Sequence, residues 1–321
     1  MQFPHPTSAL LDVSNLSKTF SRAKRAAIDD VCLSIAAGEI LGFVGLNGAG
    51  KTTTIRIAAG LSKPSAGRVF AAGFDIGQEK ARASRHIGMV PEFPNFDPSA
   101  KATSLLRYFA GFRGIHGKQA ADRCSSLLED VGLDASGDYK FRALSQGMKK
   151  RLALAVAMLG DPEILLLDEV LNGLDPQGIV LVRNLMIRWR NEGKAILLSS
   201  HLLNETQLIA DRVAILHEGR LIKVLSRSEI AESTSGALRL AIVDVDTRVL
   251  EYLATKGSIR SDGISVWISD PTASAEEINS ELVRRGYHVK SLSFEPTSLE
   301  SLFLDLIDES SAKASDTEES K

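Results

Sequence analysis

One stretch limits what this chain can fold into. Residues 39–58 read EILGFVGLNGAGKTTTIRIA: an apolar run from Ile40 to Val44 feeds Gly45-Leu46-Asn47-Gly48-Ala49-Gly50-Lys51-Thr52, and helical spacing follows. Those eight residues match G-x-x-x-x-G-K-[ST], and strand, glycine loop, helix is the context the pattern requires. With glycine near ~7% of residues, the four fixed positions arise by chance in about one chain in a hundred of this length. Glycines let successive backbone N–H groups converge on an anion, and the helix adds its positive N-terminal end. Lys51 is then placed to reach outer phosphates and the Thr52 hydroxyl to ligate Mg²⁺. The stretch predicts a nucleoside triphosphate site and leaves open what the energy is used for.

The whole chain bounds the rest. At 321 residues it is long enough for two domains, at about 150 residues each. A formal net charge of -2, with Lys and Arg spread through the sequence, leaves no electrostatic footprint for nucleic acid. Cys32 and Cys124 lie far apart without metal-type spacing, which fits a reducing compartment rather than a disulfide scaffold. No run approaches the roughly 18 apolar residues of a membrane span, and Met1 to Ser8 lacks the basic start and apolar centre of a signal peptide. The expectation is a cytosolic protein that reaches a membrane only through a partner.

Leu10 to Val13 and Val31 to Ile35 read as short strands around a basic connector. Phe20, just before that connector, is open to two readings, core packing or stacking on a nucleotide base. Strands are predicted at Gly67 to Phe70 and Ile87 to Val90, with a polar helix near Gln78 to Ser84 between them. Pro91, Pro94 and Pro98 then make an irregular loop around Glu92. From Thr103 to Val131 the spacing is helical with a break at Gly114 to Gly117, a helical insert in an α/β pattern that is equally padding or a partner-facing subdomain.

Leu144-Ser145-Gln146-Gly147-Met148 precedes a predicted helix from Lys149 to Leu159, with Ser145 as N-cap and Gly147 permitting close backbone approach. Ile164 to Leu167 is a continuous apolar run, as in a strand buried on both faces of a parallel sheet. It ends in Asp168-Glu169, where such sheets bind ligands. Asp168 is a candidate to hold Mg²⁺ and Glu169 to orient or deprotonate a water. Asn172-Gly173-Leu174-Asp175-Pro176 is a turn by composition. Lys194 to Ser199 is another buried strand, ending at Ser200-His201, and Asp211 to Leu216 with Gly219 to Leu225 make a closing strand pair.

The ordered set GLNGAGKT, LSQGM, ILLLDE, NGLD and SSH resembles the nucleotide-binding subunit of ATP-binding cassette transporters over Leu10 to Leu225. That resemblance implies a phosphate-loop NTPase cassette with a mostly parallel sheet, an antiparallel β region at the N-terminus and a helical signature subdomain at about 92–160. It implies that Phe20 stacks on adenine, that Asn47, Gly48, Ala49, Gly50, Lys51, Thr52 and Thr53 hold the phosphates of ATP, and that Thr52 and Asp168 anchor Mg²⁺. Glu169 is implied as general base and His201 as the switch that contacts the γ-phosphate. Asp175 is implied in the loop communicating between subunits, and Ser145 and Gly147 on ATP bound to another subunit. Because one phosphate loop and one signature cannot meet within a single cassette, the implied assembly is a homodimer, or a pair with a paralogous cassette, with ATP at the interface. Its partners are integral membrane permease subunits, which hold it at the inner face of the cell membrane, and no nucleic acid is expected.

Two positions depart from the family pattern. Glu92 stands where a Mg²⁺-contacting glutamine is usual, and its carboxylate is expected to ligate Mg²⁺ in its place, while the signature carries Gln146 and Met148 in place of glycine and glutamine. With the C-terminal extension, these features are associated with bacterial cassettes serving separate exporter-type permeases. The alternatives are a soluble cassette ATPase acting on ribosome or DNA, or a low-turnover regulatory or immunity cassette. Beyond the cassette at 1–225, residues 226–308 read as a small α+β accessory domain for dimer contact, regulation or ligand sensing. Strands are predicted at Leu238 to Val245, Ser265 to Ile268 and Val289 to Phe294, and helices at Val249 to Ala254, Ala275 to Arg284 and Leu299 to Leu304. Residues 309–321 read as a disordered tail.

Overall fold

The computed structural model describes residues 9–21, 23, 25–233, 236–269, 271–295, 300, 302–304 and 306–307. Two compact units divide between Arg227 and Ser228. The tail expected at 309–321 lies outside the described residues, as do Leu299 and Ser301 of the expected last helix.

The first unit opens with β1 (Ala9–Lys18), β2 (Ile28–Ala36), β3 (Ile40–Val44), α1 (Lys51–Ala58), β4 (Ala66–Ala71), β5 (Phe74–Asp75), α2 (Lys80–Ala83) and β6 (Ile87–Val90). It continues through α3 (Ala102–Phe112), α4 (Gly117–Asp130), α5 (Gln146–Ala157), β7 (Ile164–Asp168), α6 (Pro176–Asn191), β8 (Ala195–Ser200), α7 (Leu203–Ile209), β9 (Arg212–His217) and β10 (Arg220–Ser226). The strands form two sheets, an antiparallel one ordered β2-β1-β4-β5 and a six-stranded one ordered β10-β9-β3-β8-β7-β6. Within the second, β9, β3, β8, β7 and β6 run parallel and only the edge strand β10 is reversed.

Every residue of β3, β7 and β8 is buried, the physical reason their sequences are continuous apolar runs rather than alternating ones. Their parallel direction sends Val44, Asp168 and Ser200 to the same edge, together with Val90 at the end of β6. Four loops therefore emerge where open parallel sheets place their ligands. β9 and β10 join through Glu218 (φ +44) and Gly219 (φ +82), two left-handed residues of the kind a tight hairpin needs.

Helices α3, α4 and α5 pack on one another, burying Leu105, Leu106, Cys124, Leu127, Leu128 and Leu152. Helix α5 begins at Gln146, three residues before the predicted start at Lys149. The Ser145 hydroxyl accepts from the Met148 N–H at 3.2 Å, so the cap sets the start and Gln146, Gly147 and Met148 form the first turn.

In the second unit, α8 (Arg227–Ser233) is followed by β11 (Ala237–Val243), α9 (Thr247–Ala254), β12 (Ser258–Ser261), β13 (Ser265–Ser269), α10 (Ala275–Arg284) and β14 (His288–Glu295). The sheet order β12-β13-β11-β14, all antiparallel, makes this βαββαβ unit a split βαβ of ferredoxin-like type. One face of β11 carries Leu238, Leu240 and Ile242 into a core with Val249 and Leu253 of α9 and Ile278 and Leu282 of α10. Asp246 caps α9, and Ser274 with Glu277 forms a capping box on α10. Strand β12 has no counterpart among the sequence expectations. Its residues SIRS are mostly exposed, so no alternation marks it, and pairing with β13 alone defines it.

Leu166, fully buried in the middle of β7, is expected to cost about 2–5 kcal/mol of stability as Leu166→Ala, measured as a shift in the urea unfolding midpoint.

Candidate nucleotide site

The glycine loop is held between the end of β3 and the start of α1. Gly50, the residue before α1, has φ +108, and a Cβ there would stand 2.5 Å from the Ala27 carbonyl. Gly48 also has positive φ, +83, but faces open space, so its constraint is conformational alone. The first-turn N–H groups of α1, which have no intrahelical acceptor, open on a cleft of about 420 Å³ lined by residues 46–53 with Ala27, Glu92, Glu169, Asn172 and His201. Lys51 is only 6% exposed. Its Nζ donates to the Gly45 carbonyl at 2.6 Å and lies 3.4 Å from Glu169 Oε1.

Strand ends complete the cleft. Asp168 is buried, and its Oδ1 accepts from Thr52 Oγ1 at 3.2 Å and from Ser199 Oγ at 2.7 Å. Glu169 has φ +49, a left-handed conformation that costs a non-glycine residue roughly 1–2 kcal/mol. Its N–H donates to Ser199 Oγ at 3.0 Å, and its carbonyl accepts from Lys150 Nζ at 2.5 Å. Its Oε2 accepts from Asn172 Nδ2 at 2.9 Å and lies 3.1 Å from His201 Nδ1. Burial pulls the Lys150 pKa below its ordinary value, and the charges of Glu92, Glu169 and Asp168 pull the other way.

No three His, Cys, Asp or Glu side chains converge as a metal cage among the described residues. Mg²⁺ binds through one or two protein oxygens while substrate phosphates and waters supply the rest. The oxygens of Thr52 and Asp168 stand together at the cleft, and Glu92 adds a carboxylate to its lining. The donor set is oxygen throughout, as a hard cation requires.

The structure thus brings together Asn47 to Thr53, Glu92, Asp168, Glu169 and His201. It sets Phe20, Ser145, Gly147 and Asp175 away from the cleft lining. Phe20 is half exposed, which ends the core reading, and its ring lies 5.1 Å from Lys18 Nζ. Ser145 caps α5, Asp175 caps α6 by accepting from the Gly178 N–H at 3.1 Å. A Cβ on Gly147 would stand 3.3 Å from Leu174, so the signature turn abuts the NGLD turn.

Three neighbours of the cleft went unread in the sequence: Lys150, Asn172 and Ser199. Lys150 carried a usable signal. It occupies the same helical stripe as Ala153, Leu154 and Ala157, all buried, and a lysine on an apolar stripe needs a partner inside.

A phosphate loop facing paired carboxylates at the end of a parallel strand defines a phosphate-loop NTPase. The sequence profile of the ABC transporter family matches residues 28–172. Nod factor export ATP-binding protein I of Cupriavidus metallidurans is 30% identical over 303 residues, 93% of this chain and 97% of that one. A bacitracin transport ATP-binding protein of Bacillus licheniformis is 33% identical over 305 residues, 94% and 98% of the two chains. A solved ATP-binding subunit of an ABC transporter matches with a TM-score of 0.64 at 26% identity, covering 85% of this chain and 99% of that one. The chain belongs to the ABC transporter family: it is an ATP-binding cassette and an ATPase.

Gly50→Ala, which adds a Cβ where both backbone and space forbid it, is expected to weaken ATP binding by more than about tenfold, read by titration with a fluorescent nucleotide.

Proposed function

We propose that this chain is the motor subunit of an export-type transporter, hydrolysing ATP on the inner face of the cell membrane to drive a separate permease. The observation that carries the reading is the Glu169 carboxylate, buried at the end of β7 between Lys51 and His201 and over the phosphate loop. A carboxylate in that place accepts a proton from the water that attacks the γ-phosphate. Lys51 and the N–H groups of Asn47 to Thr53 hold the phosphates, and His201 contacts the γ-phosphate from the neighbouring strand end. Phe20 stacks on the adenine.

Thr52 and Asp168 hold Mg²⁺, with Glu92 as a further oxygen ligand. When bound, the ion offsets charge on the β- and γ-phosphate oxygens. The hydroxyls of Thr52 and Ser199 orient the Asp168 carboxylate for that task.

Ser145 and Gly147 lie outside the cleft of their own chain, which supports a head-to-tail pair in which they cover the ATP of the other subunit. A serine hydroxyl and a helix N-terminus supply donors to a γ-phosphate, and Asp175 lies in the turn next to them. ATP closes the pair, and hydrolysis reopens it. Export is supported by the Nod factor export relative and transport by the bacitracin relative, both of which match this chain along nearly its whole length. Because that match extends past Arg227, the ferredoxin-like unit is read as an accessory domain common to such cassettes. Among the described residues no helix is long and apolar enough to cross a membrane, so the pathway for cargo is assigned to the permease.

Glu169→Gln is expected to retain ATP binding, lose turnover by at least about a thousandfold and accumulate an ATP-bound dimer on size exclusion. A variant that hydrolyses ATP at the native rate removes Glu169 from the mechanism. Lys51→Ala is expected to raise the ATP dissociation constant by about tenfold or more, seen by calorimetric titration.

A further inference from the structure

Lys150 does not line the cleft, yet it is as buried as Lys51, each 6% exposed. It lies on α5 five residues past the cap Ser145, or about 7.5 Å along the helix. Its Nζ donates to the carbonyl of Glu169 at 2.5 Å. An ammonium taken out of water is expensive unless opposed by charge and hydrogen bonds, and an apolar side chain would fill the same stripe of α5 at less cost. A lysine in that place calls for a reason beyond packing.

The reason lies in the backbone of Glu169. That residue is left-handed at φ +49, and it is gripped on both sides: β8 holds its N–H through Ser199, and α5 holds its C=O through Lys150. Backbone torsions fix the direction of Cβ, so this grip sets where the carboxylate points. Asn172 and His201 then trim its final orientation through Oε2.

We propose that Lys150 is a positioning residue for ATP hydrolysis, clamping the Glu169 carbonyl so that the carboxylate stays aimed over the phosphate loop. The clamp also joins two sites. The helix that carries Lys150 is capped by Ser145, so a γ-phosphate seated on Ser145 from one nucleotide bears on the Glu169 that accepts a proton from the water attacking the other. This inference rests on Glu169 being the general base.

The test uses the full-length chain, with steady-state ATPase kinetics and ATP binding measured separately. Lys150→Met keeps the apolar stem and removes the donor; kcat is expected to fall by about a hundredfold, the loss that a small misplacement of a catalytic group produces. KM and ATP affinity are expected to stay within about twofold, the pattern of an interaction used only in the transition state. Lys150→Arg restores a charged donor and is expected to return kcat to within about tenfold of the native value, with Lys150→Gln between the two.

If Lys150→Met does not give a native circular dichroism spectrum, the Arg and Gln variants carry the test, and Arg must exceed Gln in kcat at equal KM. A native kcat for Lys150→Met, a loss confined to KM, or equal losses in all variants overturns the clamp. Glu169→Gln is assayed in parallel. If it is inactive while Lys150→Met is native, the base assignment stands and only the clamp fails; if it hydrolyses ATP normally, the base assignment fails and takes the clamp with it.

Discussion

The contact between Lys51 and Glu169 governs the geometry of the cleft. Both side chains are less than a tenth exposed, and removing an ammonium and a carboxylate from water costs several kcal/mol for each ion. Such a pair persists only if its surroundings satisfy the remaining donors and acceptors. Gly45 supplies a carbonyl to Lys51, and Asn172 and His201 supply contacts to Glu169. These partners come from β3, β7, β8 and the loops that follow them. The pair can be assembled only because those strands run parallel and end together.

This dependence explains why the sheet is built as it is. β7 has little freedom to slide, since a one-residue slip in one direction would draw Asp168 into the buried place of Leu167, and a slip in the other would bring Leu167 to the cleft edge in its stead. The register that pairs Asp168 with Ser199 and Val44 with Ser200 is therefore also the register of the chemistry. Hydrophobic burial here acts as a positioning device, with the apolar runs of β3, β7 and β8 holding polar ends to within a hydrogen bond of one another.

Much of this was open to reading in the sequence, for physical reasons that differ by element. The runs ILGFV and ILLLD advertise burial on two faces, and the GLNGAGKT loop advertises its own conformation through its glycines. Helix α10 announces itself with a capping box at Ser274 and Glu277. The cap of α5 is legible at Ser145, and the helix follows it directly, so it starts at Gln146 rather than at Lys149. Strand β12 was missed because an edge strand of polar residues has no burial pattern to display. Lys150 and Asn172 were missed because their partners are backbone and side chains brought near by folding, which no local spacing encodes. For Phe20 the local sequence leaves core packing and base stacking both open, and the fold shows the ring half exposed beside Lys18.

The two capped helix starts at Ser145 and Asp175 lie next to each other, since Gly147 abuts Leu174, yet they are electrostatically unequal. Asp175 places a full negative charge on the end of α6 and cancels its positive pole. Ser145 is neutral and leaves the pole of α5 uncancelled. The signature turn and its neighbour therefore form one attractive helix end bordered by a carboxylate. Such a patch favours an anion on one side of Gly147 and repels it on the other, which gives the surface a built-in sense of direction.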